Sequence, residues 1–139
     1  MQLTRNFQLS EFLRSETADK LGTKICASLE HTLNLAHLCS TVLQPLRDHF
    51  REPIHITSGL RNQWVNTVVG GAANSQHLRG EAADIRIPNP EQGRAYFLYI
   101  EEHCSFDQLI WEQENGTCWI HVSAKRLGHN RHQVIDLAN

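Results

Sequence analysis

Leu35, Leu38, Val42, Leu46 and Phe50 recur at steps of three and four, which predicts a helix from about Ser28 to Phe50 with one stripe turned toward a core. Pro45 falls inside that run. It lacks an N–H and crowds the preceding turn, so a kink or a fresh helix start is expected there. Ahead of this segment, Phe7, Leu9, Phe12 and Leu13 predict a short helix after Ser10, packed as a flap on the core. Beyond it the period shortens. Ile54-His55-Ile56-Thr57 alternates between Pro53 and Ser58-Gly59 and predicts a strand. Trp64, Val65, Val68 and Val69 predict the apolar face of a short helix, ended by Gly70-Gly71. Ala82 to Ile87 predicts a strand stopped by Pro88. Asn89-Pro90-Glu91-Gln92 then has the make-up of a helix start: a side-chain cap, proline in the first turn and glutamine three beyond the cap. That helix is expected to reach about His103 and to bury some of Ala95, Leu98, Tyr99 and Ile100. Gln108 to Glu112 and Cys118 to Ser123 predict two strands joined through Asn115-Gly116, a strong hairpin signal. The tail carries a short apolar Val134-Ile135. Helices interspersed with strands, closing on a hairpin, favour antiparallel pairing and an α+β fold over a doubly wound parallel sheet.

At 139 residues the chain suits one domain, residues 1–139, with a core of its own. Hydrophobic residues make up 40% and charged residues 20%, ordinary values for a globular protein. A net charge of −2 argues against nucleic acid as the main partner, because phosphate binding needs a basic face. No apolar run reaches the ~20 residues of a membrane span, and residues 1–19 do not read as a secretory signal. The expectation is a monomer made in the cytoplasm. Four cysteines occur without a Cys-x-x-Cys pair, so free and mostly buried thiols are expected rather than a cysteine metal site. Nine histidines are many for this length, which raises interest in metal ligation. His31, His37 and His49 lie on the first long helix and are expected to be solvated or to cap.

The chemistry-bearing stretch is Ser75-Gln76-His77-Leu78-Arg79-Gly80-Glu81-Ala82-Ala83-Asp84, with His121 downstream. Two histidines and one carboxylate suit a metal that keeps a fourth position for water. The separation of His77 and Asp84 matches no helical ligand spacing, so sheet and loop geometry must bring the three together. Gly80 and the alanines are expected to let the backbone fold closely around an ion. Asp84 equally suits an ion pair with Arg79 or Arg86, and each histidine suits a core or surface position.

Ser75-x-His77-x-x-Gly80-x-Ala82-x-Asp84 resembles the zinc D-alanyl-D-alanine carboxypeptidases of peptidase family M15, in the compact branch of bacteria and their phages. The resemblance extends to Ser58-Gly59-Leu60-Arg61, to Asn66-x-x-Val69-Gly70-Gly71, to Phe106-Asp107-Gln108-Leu109-Ile110-x-Glu112 and to Trp119-Ile120-His121. It implies a Hedgehog/DD-peptidase-like fold, with His77, Asp84 and His121 as ligands of a zinc ion (Zn2+). It implies Arg61 near the site as a substrate or oxyanion contact, and Ser75 as a substrate contact or a support of the ligand loop. It implies peptidoglycan stem peptides as substrate and the bacterial cell wall as the place of action, reached by export or lysis.

One departure bears on catalysis. Members of the family carry the general base three residues before the last histidine, or a histidine two before it. Here those positions are Cys118 and Trp119. Glu112, on the paired strand, is the expected base, with Glu114 next. The alternative role of Glu112 is to orient His77 or His121 through its other ring nitrogen. A second function stays open on the same fold: a zinc-stabilised binding module without turnover.

Overall fold

The computed structural model describes residues 1–138. Its frame is a five-stranded sheet in the order β3-β4-β6-β5-β7, formed by β3 (Ile56–Ser58), β4 (Ala82–Arg86), β5 (Gln108–Glu114), β6 (Thr117–Ser123) and β7 (Gln133–Asp136). All neighbours are antiparallel except β5 and β7, which run parallel. The parallel edge strand departs from the sequence expectation. The segment 124–132 carries the chain back across the sheet, so β7 re-enters in the direction of β5.

Strand alternation divides the sheet into two unlike faces. Ala83, Ile85, Leu109, Trp111, Ile120 and Val122 share one face and are buried. Against it pack α3 (Leu29–Leu38), α4 (Gln44–Phe50) and α6 (Pro90–His103), with Leu35, Leu38, Val42, Leu46 and Ile100 fully enclosed. Each such side chain contributes about 1.5–3 kcal/mol through removal from water. The opposite face carries Asp84, Arg86, Gln108, Ile110, Glu112, Trp119, His121 and Ser123, and no helix of this layer covers it.

The first long helix answers Pro45 by widening one turn. Cys39–Leu43 is π-helical, with the Gln44 N–H donating to the Cys39 carbonyl, and α4 restarts with Pro45 in its first turn. The N-terminal flap is larger than expected. A small hairpin of β1 (Gln2–Thr4) and β2 (Phe7–Gln8) leads into α1 (Leu9–Leu13) and α2 (Glu16–Leu21), with Phe7 and Phe12 buried. The α1 start is set by Glu11, which reaches back to the Gln8 N–H. His31 caps α3 by accepting from the Ser28 N–H, and His49 stacks on Tyr99.

Two predicted apolar faces are corrected. In α5 (Gln63–Val68) the buried residues are Val65 and Asn66, while Trp64, Val68 and Val69 are exposed. A six-residue helix at the sheet margin has room for little more than one inward position, and Asn66 takes a buried place by donating to the Ala72 carbonyl. In α6 the cap forms as expected, with Asn89 Oδ1 accepting from the Gln92 N–H at 2.8 Å. The face turned inward is Gly93, Tyr96, Phe97 and Ile100, and Leu98 is exposed. Gly93 sits against Ile87, and that close approach sets the phase of the helix.

All four cysteines are free thiols. Cys39 and Cys104 are buried, Cys118 is half-buried and Cys26 is exposed. Among the described residues no helix is long and apolar enough to cross a membrane.

Candidate metal centre

Asp84 on β4 and His121 on β6 are directly opposed across the antiparallel pair. His77 arrives from a 3₁₀ turn, Gln76–Arg79, that precedes β4. The structure thus brings together the three residues singled out in the sequence, each offering one ligand atom, all within 4.8 Å of one another. Asp84 Oδ1 lies 3.0 Å from His121 Nδ1 and 3.4 Å from His77 Nε2. His77 and Asp84 are buried and His121 is half-buried.

Local contacts fix the ligand atoms. His77 Nδ1 is 2.7 Å from the Gly59 carbonyl. A carbonyl only accepts, so the ring proton belongs on Nδ1 and the lone pair on Nε2, facing Asp84. The Arg61 N–H donates to the His77 carbonyl, clasping the same two segments. Gly59 has no room for a side chain: a Cβ there would lie 2.7 Å from the Phe12 backbone. Ser75 Oγ accepts from the His77 N–H at 3.2 Å and caps the turn. Gly80 ends that turn at φ 74, and a Cβ would meet the His31 carbonyl at 2.9 Å. Its small size therefore serves a left-handed turn packed against α3, a different reason from the close approach to an ion expected from sequence. Ala82 and Ala83 are fully buried strand residues.

Asp84 divides its two oxygens. Oδ1 faces both histidines, and Oδ2 lies 3.5 Å from the Arg61 guanidinium. Arg61 is the arginine that Asp84 meets, while Arg79 pairs with Glu81. Burial pushes the Asp84 carboxyl up, but the hydrogen bond from His121 and the other imidazole and charge around it outweigh burial and hold the group ionised well below the usual carboxylate range. Arg61 also donates from Nε to Ser58 Oγ at 3.2 Å and from Nη1 to Asn66 Oδ1 at 3.3 Å. Its burial lowers its own pKa, and Asp84 opposes that fall.

A cleft of about 590 Å³ opens beside the cluster, lined by Arg61, Ser75, His77, Asp84, Glu112 and His121 among others. Glu112 lies opposite Trp119 on β6, one diagonal step from His121, a spacing of about 7–8 Å between sheet positions. Burial pushes its carboxyl above the ordinary range, against the pull of His121. Glu112 has no side-chain hydrogen bond to either histidine, although both rings are near. Glu114 is exposed at the strand end and does not line the cleft. Cys118 sits on the helix side of β6, out of phase with His121, and packs against the core. A carboxylate at that position on this strand would point away from the cluster.

The donor set suits a divalent ion. Tetrahedral coordination at about 2.0–2.2 Å places ligand atoms roughly 3.3–3.6 Å apart; the 3.4 Å from His77 to Asp84 Oδ1 falls in that range and the 3.0 Å from His121 is a little shorter. Two neutral nitrogens with one anionic oxygen leave net positive charge on such an ion. The buried carboxylate is oriented by Arg61 and the buried imidazole by a carbonyl, as metal ligands usually are.

A mixed sheet whose open face gathers two imidazoles and a carboxylate beside a cleft offers a place for a single divalent ion. The family model for peptidase M15 matches residues 5–123, and the chain belongs to that peptidase family. No curated protein matches the chain.

Sequence reasoning missed the Gly59 carbonyl on His77, the Ser58 and Asn66 contacts of Arg61, and a buried Asp107 bound to Arg131. The first is a backbone group and has no side-chain signature. The other contacts join residues whose meeting depends on loop paths.

Proposed function

We propose that the chain is a zinc-dependent peptidase that hydrolyses D-amino-acid-containing peptide bonds of peptidoglycan stem peptides, acting as one domain over residues 1–139. The observation that carries this reading is the meeting of His77, Asp84 and His121 on the open sheet face of an M15 chain. These three would hold zinc, which when bound supplies a Lewis acid for the peptide carbonyl and acidifies a water. Glu112 accepts the proton of the attacking water at its carboxylate and passes it to the leaving amine. Its freedom from hydrogen bonds to the histidines favours this role over that of an orienting partner, and its raised pKa suits a group that must both take and return a proton. Arg61 aligns Asp84 through Oδ2, and its remaining N–H groups offer fixed positive charge to the oxygen on which charge develops. Ser75 holds the His77 turn and borders the path of the substrate backbone. The substrate lies in the bacterial cell wall, which the protein reaches by export or lysis.

Zinc content and product analysis test the reading together. Wild-type protein purified at neutral pH should hold about one zinc per chain, and His77→Ala should hold almost none. Purified peptidoglycan fragments should release D-alanine or split cross-links by mass spectrometry. A metal-free wild type overturns the proposal. Bound zinc without any product leaves the non-catalytic binding module in its place.

A further inference from the structure

At the end of the cleft away from Glu112, two cations stand that the peptidase reading leaves unused. Lys125 and Arg131 both line the cleft. They lie on the segment between β6 and β7, beyond the residues matched by the family model. Their placement is fixed from beneath. Asp107 is fully buried, and its carboxylate accepts from the Arg131 backbone N–H at 2.9 Å, from Nε at 3.0 Å and from Nη2 at 2.7 Å. Asn130 closes the loop, accepting from the Lys125 N–H at 2.8 Å and donating to the Lys125 carbonyl at 3.1 Å. Lys125 Nζ is 3.9 Å from Asp107 Oδ1, outside hydrogen-bond range.

Two cations share one carboxylate, so this corner keeps one net positive charge. Arginine carries five N–H donors; Asp107 takes up the Nε side and one Nη2 position, and the half-exposed side chain offers the rest to the cleft. The Lys125 side chain is 32% exposed, and the carboxylate it faces, Asp107 at 3.9 Å, is already taken up by Arg131. The other acids of the cleft lie elsewhere: Asp84 at the metal cluster and Glu112 beyond it.

Strand pairing gives the corner a direction. Along the open face the rows run Glu112–Trp119–Arg86, then Ile110–His121–Asp84, then Gln108–Ser123–Ala82. Lys125 follows two residues past Ser123. The last row lies about 7 Å from the His121 row, at ~3.4 Å per residue. An extended peptide advances about 3.5 Å per residue. Lys125 therefore lies about 14 Å along the chain from the His121 row, and a group that its long side chain holds within the cleft sits about two residues from a carbonyl at the metal cluster.

We propose that Lys125 and Arg131 form a carboxylate-binding subsite, engaging a carboxylate one or two residues beyond the peptide bond held at His77, Asp84 and His121. The proposal rests on the peptidase reading and deepens it. A chain-terminal carboxylate in this subsite makes the enzyme a carboxypeptidase that trims the last one or two residues. An acidic side chain at the same place would let it cut within a longer peptide.

Three synthetic peptides resolve these sources: one ending in D-Ala-D-Ala with a free carboxylate, its C-terminal amide, and an amide ending in D-Ala-D-Glu. Each is N-methylated at the bond to be cut, and binding to the full chain as purified is measured by calorimetry. The free acid should bind about tenfold tighter than its amide, as a charge-assisted contact in a half-exposed cleft does. The preference should shrink in high salt. In Lys125→Gln and in Arg131→Gln it should fall to threefold or less, with affinity for the amide unchanged. Tight binding of the D-Glu amide keeps the subsite and assigns it to a side-chain carboxylate. Equal binding of all three peptides, no binding of any, or an undiminished preference in Lys125→Gln overturns the proposal. Lys125→Gln decides the matter where Arg131→Gln fails to fold, because the pin on Asp107 is intact in it. Unmethylated peptides run in parallel separate the two readings: acid-selective binding without hydrolysis leaves the subsite standing and removes the peptidase.

Discussion

Replacing Asp107 with asparagine isolates the charge of a buried carboxylate with little change in shape. Asp107 is fully buried at the start of β5 and takes three hydrogen bonds from Arg131. Those bonds hold its carboxyl down to about 2 from the usual 3.8. At 1.36 kcal/mol per pH unit this corresponds to about 2 kcal/mol of stability at neutral pH. The figure falls within the ~1.5–3 kcal/mol of a hydrogen bond to a charged group. The sign follows from the depressed folded-state value: the stabilisation is complete above the unfolded pKa near 3.9 and is lost as pH falls through about 2. Urea denaturation of wild type and Asp107→Asn, both with chelator so that metal loss does not contribute, should show a gap of about 2 kcal/mol at pH 7. The gap should narrow to roughly half by pH 3, with equal m-values throughout. A gap of the same size at pH 7 and pH 3 would refute an ionised Asp107, and no gap at pH 7 would refute the pin.

Gly59→Ala should cost about 2–3 kcal/mol in the same assay and weaken metal retention, because its Cβ meets the Phe12 backbone and its carbonyl orients His77. Gly22→Ala is the control: only its positive φ opposes the change, at about 1–2 kcal/mol. Glu112→Gln should lower turnover by about 10²–10⁴ with zinc content unchanged, and full activity in it would remove Glu112 as the base. In native protein a thiol reagent should modify Cys26 at once, whereas Cys39 and Cys104 should react only on unfolding. Both are buried, and burial pushes the Cys104 thiol up to about 11 and Cys39 higher still.

The α+β class, the capped helix after Asn89 and the hairpin at Asn115-Gly116 were legible because each rests on local chemistry. Proline and asparagine set the helix start, and positive φ at 51° and 80° sets the turn. The meeting of His77, Asp84 and His121 was legible through motif order, since spacing alone left Asp84 free to pair with Arg79 or Arg86. The parallel course of β7 was hidden, because Val134 and Ile135 carry no sign of strand direction. The phase of α6 was hidden too: Leu98 and Phe97 are adjacent apolar residues, and the contact of Gly93 with Ile87 decides which one faces inward. Burial of Asp107 was illegible for a related reason. An aspartate ahead of a strand reads as solvated until a distant arginine is known to cover it.

The Asn115-Gly116 turn lies at the far tip of the hairpin, yet it acts as a phase reference for the chemistry. Deleting one residue from β6 alone would exchange odd and even positions, sending Ile120 into the cleft and His121 into the packed layer beneath the sheet. Removing Glu114 together with Thr117 would shorten both arms by a matched pair and leave parity intact. The hairpin can therefore change length by paired steps and keep its ligand, whereas a single unpaired step erases the site without touching any residue that forms it.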